Sequence, residues 1–399
     1  MRIVSARISG FRNLAEDAFA FSPRVNLLLG RNGEGKTNLL EALNWLALGR
    51  SHRGSRNEDL IAFGRDDLHV GLELEEDQGG LVSCEFGLDR SGGRRLRIDG
   101  ELVKRRTDLV GRLATVFFNP DSIRLVQGGP EGRRQFADQG MAEIDPAYLG
   151  HLAALQRALK QKAGLLRDIK RGVVSGARGR QELAAWNAEI AGHAAPVCRG
   201  RADYAALVTP FADRIHRELA GAAEPLVLTY RPRLESARRI LSAGGAGEAE
   251  KHSENKGFEQ DISAELDYIV GLEMQRGRPL TGPQLDDFEV RLGGPDGLDL
   301  RTFGSQGETR SAAIALILAR SDALDSRRGV RPVLFLDDIF SELDRDRTRR
   351  LQEMASHLHQ VFIATARPGD VADWRPADRR AWTVEAGRFS EIHGDPDPA

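Results

Sequence analysis

The stretch Gly30-Arg31-Asn32-Gly33-Glu34-Gly35-Lys36-Thr37 fits the pattern G-x-x-x-x-G-K-[ST] without adjustment, and it constrains the fold more tightly than any other part of the chain. Ahead of it, Val25-Asn26-Leu27-Leu28-Leu29 has the length and composition of a buried parallel strand. Behind it, Leu39, Leu40, Leu43 and Leu46 recur at helical spacing. A strand that feeds a glycine turn and then a helix aims backbone N–H groups at one spot, where an anionic phosphate is favoured. Lys36 supplies a point charge there and the Thr37 hydroxyl a ligand for Mg²⁺. Gly30 to Thr37 are the candidate phosphate site.

A second apolar run, 332–340, ends in two adjacent acids, Asp337 and Asp338. Neighbouring strand residues face opposite sides, but where the strand ends and the backbone turns away both carboxylates can reach one pocket. Asp337 is expected to hold the Mg²⁺ and Asp338 to orient or deprotonate an attacking water. Between these motifs, Ser305, Gln306 and Gly307 open a strongly apolar helix, with Ser305 or Gln306 as the N-cap. This is a second potential phosphate-binding surface, explained if it meets a nucleotide held by another copy of the chain.

The chain's 399 residues suggest two or three compact units. No apolar stretch approaches a membrane span and the N-terminus lacks a signal-peptide core, so the expectation is cytoplasmic. Cys84 and Cys198 read as core thiols rather than a disulfide or zinc framework. A net charge of −2 excludes a uniformly basic nucleic-acid binder. Two local clusters remain as candidate phosphate-backbone contacts: Arg90, Arg94, Arg95, Arg97, Lys104, Arg105 and Arg106 around an Asp99-Gly100 hairpin turn, and Arg157, Lys160, Lys162, Arg167, Lys170 and Arg171 on a helix. Either could instead be a solvated face.

The expected organisation is an α/β nucleotide-binding lobe built from both chain ends, 1–128 and 276–399, around an inserted, mainly helical lobe, 129–275. Leu149, Leu152, Leu155, Leu159, Leu166 and Ile169 mark one long amphipathic helix. Separate helical stretches follow at 181–195 and 204–219, with Pro210 a kink or boundary, then a strand at 225–234 and a polar loop over 242–257.

The order of these motifs, GRNGEGKT, SQGE, VLFLDD and SELD, resembles the SMC-like ABC ATPases, and within them the RecF family. The likeness extends to GFRNL near the N-terminus, to the extended P-loop helix through Ser51 and Arg53, and to FFNPDSIRLVQGGPEGRRQFAD at 117–138. It implies a P-loop ABC/SMC-like ATPase head. Gly30, Arg31, Asn32, Gly33, Glu34, Gly35, Lys36 and Thr37 would bind ATP. Lys36 and Asp338 would be catalytic, and Thr37 and Asp337 would hold Mg²⁺. Ser305 and Gly307 would cap the ATP of an opposing subunit, with Ser341 to Asp344 as the D-loop of that interface. The implied protein is a weak, DNA-stimulated ATPase. It would dimerise on ATP as a clamp at gapped DNA and help the RecO and RecR proteins install recombinase.

Four positions depart from the family pattern. Gln284 and Leu285 follow Gly282-Pro283 where the family has His-Arg, which removes a potential phosphate or DNA contact. Glu308 replaces the usual Gln, and a carboxylate near polyphosphate should weaken closure unless Arg310 offsets it. Asp338 is one methylene shorter than the usual Glu, in keeping with slow turnover. Two other readings stay open: a different SMC-like ATPase role, and a P-loop enzyme acting on a small molecule, which leaves SQGE, SELD and the helical lobe without a role.

Overall fold

The structure, a computed structural model, describes residues 1–48, 57–77, 79–103, 113–221, 223–242 and 251–392. Ser51, Arg53, Lys104, Arg105, Arg106 and residues 243–250 of the expected loop at 242–257 lie outside the described residues. Met1–Ser122, Glu218–Ala222 and Ile317–Ala399 form one compact unit, and Ile123–Arg217 with Ala223–Leu316 form a second. Both chain ends therefore build the first unit.

Its strands, in chain order, are β1 (Arg2–Ser9), β2 (Asp17–Ala20), β3 (Val25–Leu29), β4 (Asp67–Glu75), β5 (Leu81–Asp89), β6 (Arg94–Ile98), β7 (Glu101–Leu102) and β8 (Thr115–Phe118). The strands β9 (Leu226–Arg231), β10 (Asp287–Leu292) and β11 (Leu298–Asp299) belong to the second unit. The first resumes with β12 (Val333–Asp337), β13 (Gln360–Thr365), β14 (Arg379–Glu385) and β15 (Arg388–Glu391). One sheet runs β15-β14-β3-β13-β12-β8, parallel apart from the β14–β15 hairpin. Every residue of β3, β12 and β13 is buried, which is why these runs are apolar without alternation. The other sheet, β2-β1-β4-β5-β6-β7, is antiparallel, and β5 shows the alternating burial that follows from one covered face. Its Asp99-Gly100 turn has both residues at positive φ, 51° and 80°, joining β6 to β7 as a two-residue hairpin.

The helix α1 (Lys36–Leu48) lays Leu39, Leu40, Leu43 and Leu46 into the core shared by the two sheets, and Trp45 stacks against Phe86 of β5 at 3.6 Å between ring centroids. Gln360, fully buried at the start of β13, ties the sheets together. Its amide donates to Ile3 O at 2.8 Å and Ser22 O at 2.9 Å, and its carbonyl accepts from Ile3 N at 2.8 Å.

The second unit contains α2 (Arg124–Gln127), α3 (Pro130–Ile144), α4 (Pro146–Lys170), α5 (Gly176–Ala220, mostly in this unit), α6 (Glu235–Ser242), α7 (Lys251–Tyr268), α8 (Val270–Arg276) and α9 (Leu300–Phe303). The unit boundary falls inside α10 (Gln306–Arg328), and α11 (Arg345–Ser356) returns to the first unit. Two sequence expectations change here. The stretches at 181–195 and 204–219 are one helix, α5, which runs through Pro196 and Pro210 because burial of Ala194, Ala195, Val197, Val208 and Ala212 outweighs the lost backbone bonds. The expected loop at 242–257 is already helical from Lys251.

The basic helix cluster also loses a member. Lys162 is only 1% exposed, and its Nζ stands 2.7 Å from Glu273 Oε2 on α8, itself 0% exposed. Lys162→Met strands that carboxylate, a loss of about 3–5 kcal/mol. The thermal midpoint should fall by about 10 °C. The double variant Lys162→Met/Glu273→Leu should recover most of it; an unchanged midpoint in the single variant would show that the pair is not holding α4 to α8.

Candidate nucleotide site

The loop from Gly30 to Gly35 leaves the end of β3, and Asp337 and Asp338 leave the end of β12, with β13 lying between those strands. Open α/β sheets place ligands at this carboxyl edge. Gly33 and Gly35 adopt φ of 87° and 117°, which only glycine takes without strain. Gly30 has a different reason: a Cβ there would sit 2.3 Å from Val384 O on β14.

Lys36, 6% exposed, donates from Nζ to Gly30 O at 2.7 Å and Arg31 O at 2.8 Å, so the ammonium is folded back under its own loop. Burial lowers its pKa, against the opposing pull of Asp337, Asp338 and Glu34. An under-solvated cation of this kind gains from an arriving anion. One residue on, Thr37 Oγ1 donates to Asp337 Oδ1 at 3.0 Å across 300 positions of sequence. The two expected Mg²⁺ ligands are thus in direct contact.

Asp338 sits at φ 50°, ψ 33°, the left-handed region that non-glycine residues seldom occupy, and its N–H bonds to Ala364 O at 2.8 Å. The abrupt turn at the strand end keeps its charge within reach of Lys36. Strain retained at the end of a buried strand beside the glycine loop keeps Asp338 a candidate for the site.

A set of supporting contacts surrounds the loop. Asn13 Nδ2 donates to Gly33 O at 3.3 Å, and Asn38 Nδ2 to Asn13 Oδ1 at 2.7 Å. Arg12 clasps Glu41 of α1 with Nε at 2.7 Å and Nη2 at 3.0 Å, a bidentate pair on a fully buried carboxylate. Leu14 lies 3.2 Å from where a Cβ on Gly35 would stand. Glu34 is gripped by the β14–β15 turn: Gly387 N donates to Glu34 O at 2.7 Å and Ala386 N to its carboxylate. The GFRNL segment is therefore the brace of the loop, which only its likeness to a family singled out; nothing signalled the turn at 386–387.

In the second unit, Ser305 is the N-cap of α10 and Gly307 lies in its first turn. Glu308, expected toward a polyphosphate, instead turns onto its own helix end. Its carboxylate accepts from Ser305 N at 2.8 Å and Ser305 Oγ at 2.7 Å, while Glu308 N donates to Ser305 Oγ at 3.3 Å. This is a capping box. In the same unit, Arg133 and Arg134 of the resembling segment at 117–138 meet the acids that follow the departure at Gln284 and Leu285. Arg133 holds Asp287 through Nε at 2.8 Å and Nη2 at 3.1 Å, and Arg134 Nη1 reaches Asp286 O at 2.7 Å. Fully buried Asp286 also receives Arg201 Nη1 at 2.9 Å and the Tyr230 hydroxyl. The acids after Gln284 and Leu285 serve the core of this unit, while Leu285 itself is exposed.

Residues 2–379 match the family model described as RecF/RecN/SMC N terminal domain. The chain is 34% identical over 391 residues to the DNA replication and repair protein RecF of Symbiobacterium thermophilum, covering 97% of each. It is 30% identical over 392 residues to that of Shouchella clausii, covering 98% of this chain and all of the relative. Among solved structures, the recombination mediator protein RecF-ATPrS in the RecFOR pathway superposes with a TM-score of 0.85 at 25% identity, covering 98% of both chains. An Smc head domain from Pyrococcus furiosus, at 17% identity and a TM-score of 0.55, shares the fold. Phosphate loop, paired acids, capped signature helix and full-length likeness agree: the chain belongs to the RecF family, with the fold of an SMC-like ABC ATPase head.

Proposed function

We propose that this chain is an ATP-dependent DNA-binding protein of recombinational repair that acts in the cytoplasm and uses slow ATP hydrolysis as a switch. The observation that carries the ATP site is the Thr37–Asp337 contact beside the buried Lys36 ammonium. Gly30, Arg31, Asn32, Gly33, Glu34 and Gly35 would wrap the phosphates with backbone N–H groups, and Lys36 would exchange its two carbonyl partners for phosphate oxygens. Thr37 and Asp337 would hold Mg²⁺, which supplies charge neutralisation on the terminal phosphates. Asp338 would orient the attacking water and accept its proton. DNA and repair roles are supported by the likeness to RecF proteins named for replication and repair. RecO- and RecR-like partners are supported by the RecFOR setting of the solved relative.

Ser305 and Gly307 would meet the nucleotide of a second copy, so ATP would join two chains into a clamp at gapped DNA until hydrolysis removes the shared γ-phosphate. Sedimentation with and without Mg-ATP, in the presence of a fluorescent duplex carrying a single-stranded gap, tests this. A monomer-to-dimer shift that carries the DNA supports the clamp. Nucleotide binding with mass and DNA affinity unchanged removes it.

Two variants probe the signature helix. Ser305→Arg should leave ATP affinity of the monomer within about twofold yet suppress the ATP-driven dimer, because a long cation displaces the hydroxyl at the helix end. Dimerisation at the wild-type concentration would refute the assignment. Glu308→Gln should retain the cap, with at most about 1 kcal/mol lost, and remove a negative charge from the helix end that would approach the partner's phosphates. The dimer should then form at lower protein concentration; a shift to higher concentration would show that the carboxylate assists closure.

A further inference from the structure

Where α4 passes into α5 the chain reads Lys170-Arg171-Gly172-Val173-Val174-Ser175-Gly176-Ala177-Arg178-Gly179-Arg180, four bases and no acid with small residues between them. All four bases are exposed, and Val173 at the turn is 73% exposed. The fold brings a second basic segment to the same end of the second unit. Lys170 Nζ donates to Arg276 O at 3.3 Å, and a Cβ on Gly277 would stand 2.6 Å from Lys170 Cδ, so exposed Arg276 and Arg278 at the end of α8 lie beside the end of α4. The start of α5 is packed there too, since a Cβ on Gly179 would stand 2.4 Å from Ile169 Cδ1 of α4. Six cations from three element ends therefore cluster at one place. With packed helix axes about 8–10 Å apart, that end is on the order of 20 Å across.

The unit does not consume these charges. Among the described residues their one ion pair is Arg178 Nε to Glu182 Oε1 at 2.8 Å, an exposed pair along a single helix that contributes little. Helix dipoles give an ordinary reason for Lys170, Arg171 and Arg276, which stand at the C-terminal ends of α4 and α8. The same dipole opposes cations at a helix start. Arg178 and Arg180 stand at the start of α5, whose first turn carries no acid. Cations kept where the fold disfavours them point to an anion supplied from outside. Charges spread over three element ends fit the repeated phosphates of a nucleic-acid backbone, about six base-pair steps over that width at about 3.4 Å each. Gly172, Ser175, Gly176 and Ala177, small and exposed, leave room for such a backbone between the arginines.

We propose that this meeting point of α4, α5 and α8 is a binding surface for the phosphate backbone of DNA; it rests on the DNA-binding reading above and adds where the chain touches the duplex. The test uses the full chain with Mg-ATP and a fluorescent gapped duplex, titrated over a range of salt concentrations. Arg171→Ala/Arg178→Ala/Arg180→Ala should bind at least tenfold more weakly. The slope of log affinity against log salt should shrink by about 2–3, because each lost phosphate contact releases about one counterion fewer. The matching triple lysine variant should stay within about threefold of wild type, since point charges still meet phosphates. Wild-type affinity and slope in the alanine variant would overturn the surface, keep the DNA-binding reading and leave these charges to an acidic protein partner. Weaker binding at an unchanged slope would overturn it as well, and a wild type that binds no DNA removes the reading and the surface together. Should the alanine variant lose its helical circular dichroism, cross-linking decides. Cys84 and Cys198 are buried, so Val173→Cys takes a photo-cross-linking maleimide selectively. Irradiation must join that label to the duplex, and a label that joins no DNA overturns the surface.

Discussion

Lys36→Met is expected to weaken ATP binding by about 10²–10⁴-fold while leaving the fold intact. On the proposed reading the ammonium would give up two carbonyl hydrogen bonds, at 2.7 and 2.8 Å, in favour of phosphate oxygens. Two charge-assisted bonds at about 1.5–3 kcal/mol each set the size of the effect. Burial already disfavours the charge on Lys36, so a thioether of similar length should leave the stability of the nucleotide-free protein unchanged or slightly higher. Titration with a fluorescent ATP analogue, alongside thermal unfolding, separates the two effects. Binding within tenfold of wild type would mean that the loop does not hold the terminal phosphates.

Asp338→Asn is expected to keep ATP affinity within about twofold and to slow hydrolysis by about 10²–10⁴-fold, the contribution typical of a positioned general base. Asparagine is chosen because it tolerates the left-handed backbone at φ 50°, ψ 33°, whereas alanine adds about 1–2 kcal/mol of strain and blurs the result. Single-turnover hydrolysis with saturating ATP is the measurement. A rate within tenfold of wild type would remove Asp338 from the hydrolytic step and leave Lys36 and Thr37 as a binding site only. Read together, the two variants distinguish failure to bind from failure to hydrolyse.

The turn at the candidate phosphate site was legible because its geometry is local. Gly33 and Gly35 turn the chain and Lys36 and Thr37 open α1, as short-range spacing already encodes. The strands β3 and β12 were legible for a related reason, since a strand buried on both faces has no choice but a continuous apolar run. The role of Glu308 was written locally too, as Ser305-x-x-Glu308, but a carboxylate near a signature helix has two uses, capping its own helix or facing a partner's phosphate. Only side-chain geometry chose the first.

Charge runs were the least legible. Lys162 shares a helix with Arg157, Lys160, Arg167 and Lys170, and spacing alone does not reveal that Glu273, more than a hundred residues on, neutralises it in the interior. Arg133 and Arg134 likewise find Asp287 and Asp286, and Arg12 finds Glu41, through the fold rather than through any local pattern. Proline misled in the same direction: Pro210 signals a helix end locally, yet α5 continues because tertiary burial supplies more than one missing backbone bond takes away.

By itself, then, the sequence determined the glycine turn and helix start of the candidate phosphate site and which strands had to be central, because turn chemistry and two-sided burial are imposed residue by residue. Tertiary structure alone decided that Thr37 touches Asp337 across 300 positions, that Asp338 is bent into the left-handed region, and that residues 11–14 and 386–387 brace the loop. These contacts depend on strand order and register. Hydrogen bonds between distant segments carry no periodic trace in the chain, and they exist only once β3, β13 and β12 lie side by side.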